Sequence, residues 1–291
     1  MIKSDRAKAL RCAISAAQTA GALMRANFRR PKKINESSQH DIKLELDVRC
    51  QKVIEKALLK SFPSFSILGE EGIVGDQRSE FRWVVDPIDG TVNFTYGIPH
   101  TCVSIALQQR IDRNRHSVEG GTSKIGRKGI DGGVPPGTGR GPDPRYQTIT
   151  GVVYDPFCNE LWTGTIGEPA RLNGRIIHVS KRAKLEEAIV SLGFAKYSST
   201  LQTMLPLFNL LIHRVRKIRL MGAAALSMVY VASGRFDAYT ETGVRLWDIA
   251  AGGLIIECAG GEFFRERVEG QHTYRIIANN GRMRTAIEQL G

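Results

Sequence analysis

Residues 81–95 read FRWVVDPIDGTVNFT, an apolar run that leads into two aspartates three positions apart and then a glycine. The run 81–85 is aromatic and β-branched and predicts a strand. Pro87, with its fixed φ, predicts a sharp turn directly after it. Such a turn lets Asp86 and Asp89 point to one spot, with the carbonyl of Ile88 offering a further oxygen. Gly90 permits close backbone approach, and the amides of Gly90 and Thr91 stand where a helix start can meet a phosphate.

Working outward, FSILGEEG at 65–72 repeats the pattern of an apolar strand followed by acids, Glu70 and Glu71. Downstream, LWDIAAGGLIIECAGG at 246–261 opens a helix with Asp248 near its start. Helical spacing of apolar residues predicts helices over 4–28 and 46–59, and the polar RRPKKINESSQHD between them (29–41) reads as a mobile loop. Further strands are expected at 101–108, 147–154, 160–165, 189–193, 215–220, 236–239 and 274–278, with helices near 201–213, 223–232, 248–259 and the C-terminus. Strands grouped first and strand–helix alternation afterwards give an α+β half, 1–180, and an α/β half, 181–291, with the change near 179–184.

One stretch breaks the pattern. Residues 110–145, with GGTSKIGRKGIDGGVPPGTGRGPDP at the centre, separate two strands that a turn of a few residues would ordinarily join. So few apolar side chains cannot offset the entropy of ordering, so the segment reads as a disordered basic insertion.

Composition narrows the function. The five cysteines (Cys12, Cys50, Cys102, Cys158, Cys258) are scattered, with no Cys-x-x-Cys pair. That pattern argues against a disulfide framework or zinc site and for a reducing cytoplasm. No run approaches the roughly 20 apolar residues that cross a bilayer, and the N-terminus reads as an amphipathic helix rather than a signal peptide. The net charge of +12 raises nucleic acid as a partner, but the basic residues are not interleaved with aromatics as a base-stacking surface requires. An anionic substrate and general solubility account for the charge instead. Walker and Gly-x-Ser-x-Gly loops are missing from the sequence.

The acids point to chemistry in combination only. Singly, each is an ordinary turn or helix-cap residue. Two clusters at strand ends and a third acid at a helix start, on oxygen-only side chains, suit a hard divalent cation.

The motifs GEE, DPIDGTVNF and WDIAAGGLIIECAGG, in this order and spacing, resemble the signature of the inositol monophosphatase family. The likeness extends through ELDVRCQKVIEKAL, IPHTCVSIAL, GVVYDP, RLNG, IRLMGAAAL and IIANN, leaving out 110–145. It implies a layered αβαβα sandwich of the sugar phosphatase type. Carried over residue by residue, it implies two or three magnesium ions: Glu70, Asp86 and the Ile88 carbonyl on the first, Asp86, Asp89 and Asp248 on the second, Glu70 through water on the third. Asp47 resembles the residue that orients the threonine at Thr91, the pair helping to deprotonate the attacking water, with Glu70 completing the catalytic set. Substrate would meet Asp89, Gly90, Thr91, Ala224, Glu241 and Asp248, with Glu241 accepting its hydroxyls. Lithium inhibition and a homodimer are implied as well.

Two departures bear on the substrate: Gly222-Ala223 stands where the family commonly has Gly-Ser or Gly-Thr, and the glycine-rich stretch before LNG is shortened to GEPARLNG. Lys32 and Lys33 fall in the segment that in the family closes over the third metal, or are a solvated basic loop. His100 and Trp247 read as packing residues. The expected activity is magnesium-dependent hydrolysis of an inositol or sugar monophosphate. Fructose 1,6-bisphosphate, histidinol phosphate and adenosine 3′,5′-bisphosphate are the alternative substrates, and an RNA- or protein-binding regulator is the alternative class.

Overall fold

The computed structural model describes residues 1–37, 42–111, 146–194 and 198–290. Helix α1 (Lys3–Asn27) buries Ala9, Ala13, Ala16, Ala17, Ala20 and Met24, a stripe at helical spacing. These small side chains bring its backbone close to the sheet beneath, and a Cβ on Gly21 would lie 2.6 Å from the Tyr154 ring. The segment expected as a mobile polar loop instead forms a two-stranded antiparallel ribbon, β1 (Ile34–Ser37) with β2 (Ile42–Leu44). Fully buried Leu44 anchors it directly before α2 (Glu45–Ser61). Residues 38–41 at its tip lie outside the described residues.

The first sheet is built from β3 (Ser66–Gly69), β4 (Gly72–Val74), β5 (Phe81–Asp89), which is followed by the short α3 (Thr91–Thr95), then β6 (Cys102–Arg110), β7 (Tyr146–Asp155), β8 (Glu160–Thr165), β9 (Arg171–Leu172) and β10 (Arg175–Ile176). Its order is β10-β9-β8-β7-β6-β5-β3-β4, antiparallel apart from the parallel β3–β5 pair. The insertion expected over 110–145 starts later than that, because Arg110 is the last residue of β6 and faces Tyr146 in the β6–β7 register; residues 112–145 lie outside the described residues.

The second sheet comprises β11 (Ile189–Leu192), followed by α4 (Ser198–Ile212), β12 (Lys217–Arg219), followed by α5 (Ala224–Ala232), β13 (Ala238–Arg245), followed by α6 (Leu246–Cys258), and the hairpin β14 (Glu262–Arg267) and β15 (Thr273–Asn279), before α7 (Arg284–Glu288). Its order is β12-β11-β13-β15-β14.

Three apolar cores give five layers. Helices α1 and α2 pack on the outer face of the first sheet through Trp83, Val85, Ile105 and Val152. Helices α5 and α6 fill the space between the sheets, against Val84, Ala106, Val153 and Trp162 on one side and Tyr239, Ile276 and Ala278 on the other. Helices α4 and α7 cover the far face of the second sheet through Met204, Leu207, Leu211 and Ile287. The expected layered α/β sandwich is what the chain forms. The change from one sheet to the next falls between Ile176 and Ile189.

The centre is tight because glycines sit wherever α6 crosses. A Cβ on Gly151 of β7 would lie 2.8 Å from the Ala251 carbonyl, and one on Gly164 of β8 would lie 3.2 Å from Ile255 Cα. Within α6, a Cβ on Gly252 would come to 2.8 Å from Met228 Cβ of α5, and one on Gly253 would strike the Phe263 ring of β14. This helix carries Asp248, so its seating also sets the position of that acid.

Candidate active site

The sharp turn expected at Pro87 is a β-bulge. Strand β5 runs on through Asp89, and its register against β6 slips between the pairs Asp86–Ser104 and Asp89–Cys102. In a regular strand, residues three apart point to opposite faces. Here three steps on β5 match two on β6, and the extra residue brings Asp86 and Asp89 to the same face, between the sheets. Pro87 lies inside the slip, where its missing N–H breaks no ladder pair. Asp86 also accepts the Ile88 amide at 3.0 Å.

Glu70 stands at the tight β3–β4 reversal, and Gln51 of α2 clamps that reversal. The Gln51 side chain accepts the Glu71 amide at 2.8 Å and donates to the Gly72 carbonyl at 3.2 Å. Gly69 leaves room for it, because a Cβ there would collide with the Gln51 amide. Asp248 is the third residue of α6 and accepts the Arg245 amide at 2.8 Å, a capping bond that fixes its side chain at the helix mouth. Asp89 is fixed by donors from both halves of the chain: the amides of Ala224 and Ala225 at 3.1 and 2.8 Å, and the thiol of Cys102 on the paired strand β6 at 3.5 Å.

Between these acids lies the Gly90–Thr91 corner. Gly90 has φ +88°, and a Cβ there would press on the His100 carbonyl at 3.0 Å and on Ala223 Cβ at 3.2 Å, so the position demands glycine. Asn93 ties the corner to the start of α5 by donating to the His100 and Met221 carbonyls, both at 2.9 Å.

Together these elements wall a cleft of about 1160 Å³. Glu70, Asp86, Ile88, Asp89, Gly90, Thr91, Ala224, Glu241 and Asp248 all line it. Asp47 does not line it. It is buried behind the wall, accepts the Leu44 amide at 2.7 Å, and lies near enough to Glu70 to raise its pKa. The Thr91 hydroxyl donates to the Ile88 carbonyl at 2.9 Å.

Electrostatically the cleft floor is a concentration of negative charge. Burial, reinforced by Asp248, Glu71 and Asp47, holds Glu70 well above the usual carboxylate range. Burial does the same to Asp86, with Glu70, Asp89 and Asp248 adding to it. Asp248 is pushed up to about 8 by burial and then by Asp89, against the lowering effect of the Arg245 amide. Burial takes Asp89 to about 6, opposed by the donors from Ala225 and Ala224. The carboxyl of Asp86 lies against those of Glu70 and Asp248.

Among the described residues, no Lys or Arg forms an ion pair with any of these four acids. Nor are three or more His, Cys, Asp or Glu side chains among them drawn around one point as finished metal ligands. Buried carboxylates packed against one another need a cation or protons to be stable. An all-oxygen donor set of this kind fits a hard divalent ion.

Several residues turn out to have other work. Lys32 caps α1, donating to the Asn27 and Arg30 carbonyls at 3.1 and 2.9 Å, and stands 4.8 Å over the Phe94 ring. Lys33 pairs with Glu45 at 2.8 Å. Neither lines the cleft. His100 packs edge-on against Tyr230, and the Trp247 carbonyl accepts the Ser104 hydroxyl at 3.0 Å. Sequence reasoning passed over Gln51, Asn93, Tyr239 and the wall formed by Arg245, Gln271 and His272. Only Tyr239 carried a readable signal, its i, i+2 spacing from Glu241 on a strand.

The profile of the Inositol monophosphatase family matches residues 5–113 and 145–289. The chain belongs to that family. Its members are phosphatases that bind phosphorylated small molecules and generally depend on metal. The stretch 114–144 falls outside the match. Among relatives, the Nus factor SuhB of Xylella fastidiosa is 32% identical over 289 residues, covering 95% of this chain and 92% of that protein. Inositol monophosphatase 1 of Solanum lycopersicum is 33% identical over 259 residues, covering 87% and 82%. The crystal structure of the extragenic suppressor protein suhB from Bartonella henselae superposes with a TM-score of 0.78 at 29% identity, covering 96% of each chain. No described helix is long and apolar enough to cross a membrane.

Proposed function

We propose that this chain is a magnesium-dependent phosphomonoesterase for a small polyhydroxylated monophosphate, with inositol monophosphate as the first candidate. The observation that carries the reading is the convergence on one cleft of four mutually repelling acids, the Gly90–Thr91 corner and Glu241. Glu70, Asp86, the Ile88 carbonyl, Asp89 and Asp248 would hold two or three magnesium ions. Bound there, the metal supplies charge neutralisation for the phosphoryl group and acidifies water. The amides of Gly90 and Thr91 would orient the phosphate oxygens. Thr91 and Asp47 would take up the proton of the attacking water, with Thr91 at the cleft wall and Asp47 behind Glu70. Asp89, the backbone at Ala224, Glu241 and Asp248 would meet the sugar or polyol. No covalent phosphoenzyme is required. We extend the reading to lithium inhibition and a homodimer in the cytoplasm.

The test is phosphate release from inositol 1-phosphate, fructose 1,6-bisphosphate, histidinol phosphate and adenosine 3′,5′-bisphosphate, with magnesium and with chelator. Inositol 1-phosphate should show the highest kcat/KM, only with magnesium. Asp86→Asn should reduce kcat by at least about a hundredfold, the scale on which charge-stabilising groups act. Dominant activity on the adenosine compound would overturn the substrate, and no turnover of any compound at full magnesium occupancy would overturn the reaction.

A second reading, a macromolecular partner alongside the phosphatase, has its own support. Arg214, Arg216, Lys217 and Arg219 are exposed along and beside the sheet-edge strand β12. The SuhB relatives bear the name Nus factor. Binding of RNA or a protein that survives Asp86→Asn would support this role as separate from catalysis.

A further inference from the structure

Glu241 is a long acid in a cleft, and its side chain is held more firmly than its position needs. On β13, Tyr239 and Glu241 are two residues apart and share the face toward the central layer. The hydroxyl of the buried Tyr239 donates to Glu241 Oε2. From the neighbouring strand, Gly193 follows the last residue of β11. Its amide donates to the Thr240 carbonyl at 3.2 Å, next to the Leu192–Thr240 register pair. A Cβ on Gly193 would occupy the space of the Glu241 carboxylate. Tyr239, Gly193 and Glu241 all line the cleft. Among the described residues, Glu241 Oε1 has no hydrogen bond of its own.

We propose that Tyr239 is a positioning residue for the polyol half of the substrate: with the space left by Gly193, it ties back one oxygen of Glu241 and presents the other to a substrate hydroxyl. The inference rests on the polyol-phosphate reading above and deepens it. A free glutamate would have to give up rotamer freedom when substrate arrives, and one already held gives up little. Selection then acts on the hydroxylated part of the ligand and leaves the phosphate subsite at the Gly90–Thr91 corner untouched. Tyr239 touches no substrate atom in this scheme and acts only through Glu241.

The experiment measures equilibrium binding by calorimetry on the full chain with magnesium. The probes are the phosphonate analogue of inositol 1-phosphate, which cannot be hydrolysed, and methylphosphonate, which has the anion without the polyol. Tyr239→Phe should weaken the inositol phosphonate about tenfold, the loss expected of one well-placed hydrogen bond, and change methylphosphonate by less than about twofold. Gly193→Ala should act in the same direction, by displacing the carboxylate. In a Glu241→Ala background, Tyr239→Phe should have no further effect. The inference is overturned if Tyr239→Phe weakens both probes alike, if it weakens neither, or if the unaltered chain binds the inositol phosphonate no better than methylphosphonate. Turnover plays no part in this comparison. A chain that hydrolyses nothing would end the hydrolase reading while the two affinities still decide the role of Tyr239.

Discussion

At the level of single residues, the acids of the cleft explain why the chain needs a ligand there. Asp89, Glu241 and Asp248 titrate near 6, 7 and 8 in the folded chain, each raised first by burial. In an unfolded chain they would titrate near 4. Between those values the folded state binds more protons than the unfolded one, so unfolding becomes easier as pH rises. The stabilisation is complete below about pH 4 and is lost as pH passes through the folded values. In chelator, the melting temperature should therefore fall from pH 5.5 to 8.5. Magnesium should recover the loss most strongly at the alkaline end, because ligation requires the deprotonated acids. Thermal melts at three pH values, with and without the metal, read this directly. A melting temperature that stays level or climbs with pH in chelator would show that the acids are not forced together. The four candidate metal acids were legible in the sequence because each follows an apolar strand or opens a helix, whereas Glu241, inside β13, was legible only through the family resemblance. Their fastenings were not: Gln51 on the Glu70 reversal and Cys102 on Asp89 are contacts between residues 20 and 13 positions apart along the chain, and no local pattern announces them.

Among the elements, length and periodicity decided what could be read. Helices α1, α2, α5 and α6 and the core strands β5 to β8 bury enough apolar surface to leave a pattern, and their expected bounds agree with the observed ones to within a few residues. The ribbon β1–β2, the two-residue strands β9 and β10 and the exposed half of β14 have little or none. Asp-Pro is a common turn dipeptide, so the sequence alone predicts a turn where β5 has its bulge; only pairing with β6 reveals the slip. Helix α6 offers the clearest test at this scale. Gly252 faces Met228 of α5, and added bulk there has nowhere to go. Gly252→Val should destabilise the chain by about 1–3 kcal/mol through overpacking. For a domain of this size that corresponds to roughly 2–4 °C of melting temperature per kcal/mol. Because the helix also carries Asp248, magnesium should protect the variant less than it protects the unaltered chain. A variant with unchanged melting temperature and unchanged response to magnesium would show that α6 is not seated as tightly as its glycines indicate.

For the molecule as a whole, the basic stretch between β6 and β7 joins two strands whose ends are already paired. Arg110 and Tyr146 are paired across the two strands, so their backbones are already adjacent, and a turn of a few residues can join them. The family match also skips 114–144. Replacing residues 112–144 by a short Asn-Gly turn should leave the melting temperature within about 2 °C and kcat/KM on inositol 1-phosphate within about twofold, since loop length enters stability only logarithmically. The same variant separates the two roles. If RNA binds through the insertion, its affinity should fall on deletion and the salt dependence should flatten, because fewer phosphates are neutralised. Affinity untouched by the deletion but reduced by Arg216→Glu and Arg219→Glu would move the interface to the β12 edge. A deletion that removes phosphatase activity with the fold intact would instead make the insertion part of the catalytic site, contrary to a cleft whose described walls come from the two sheets and the helices between them.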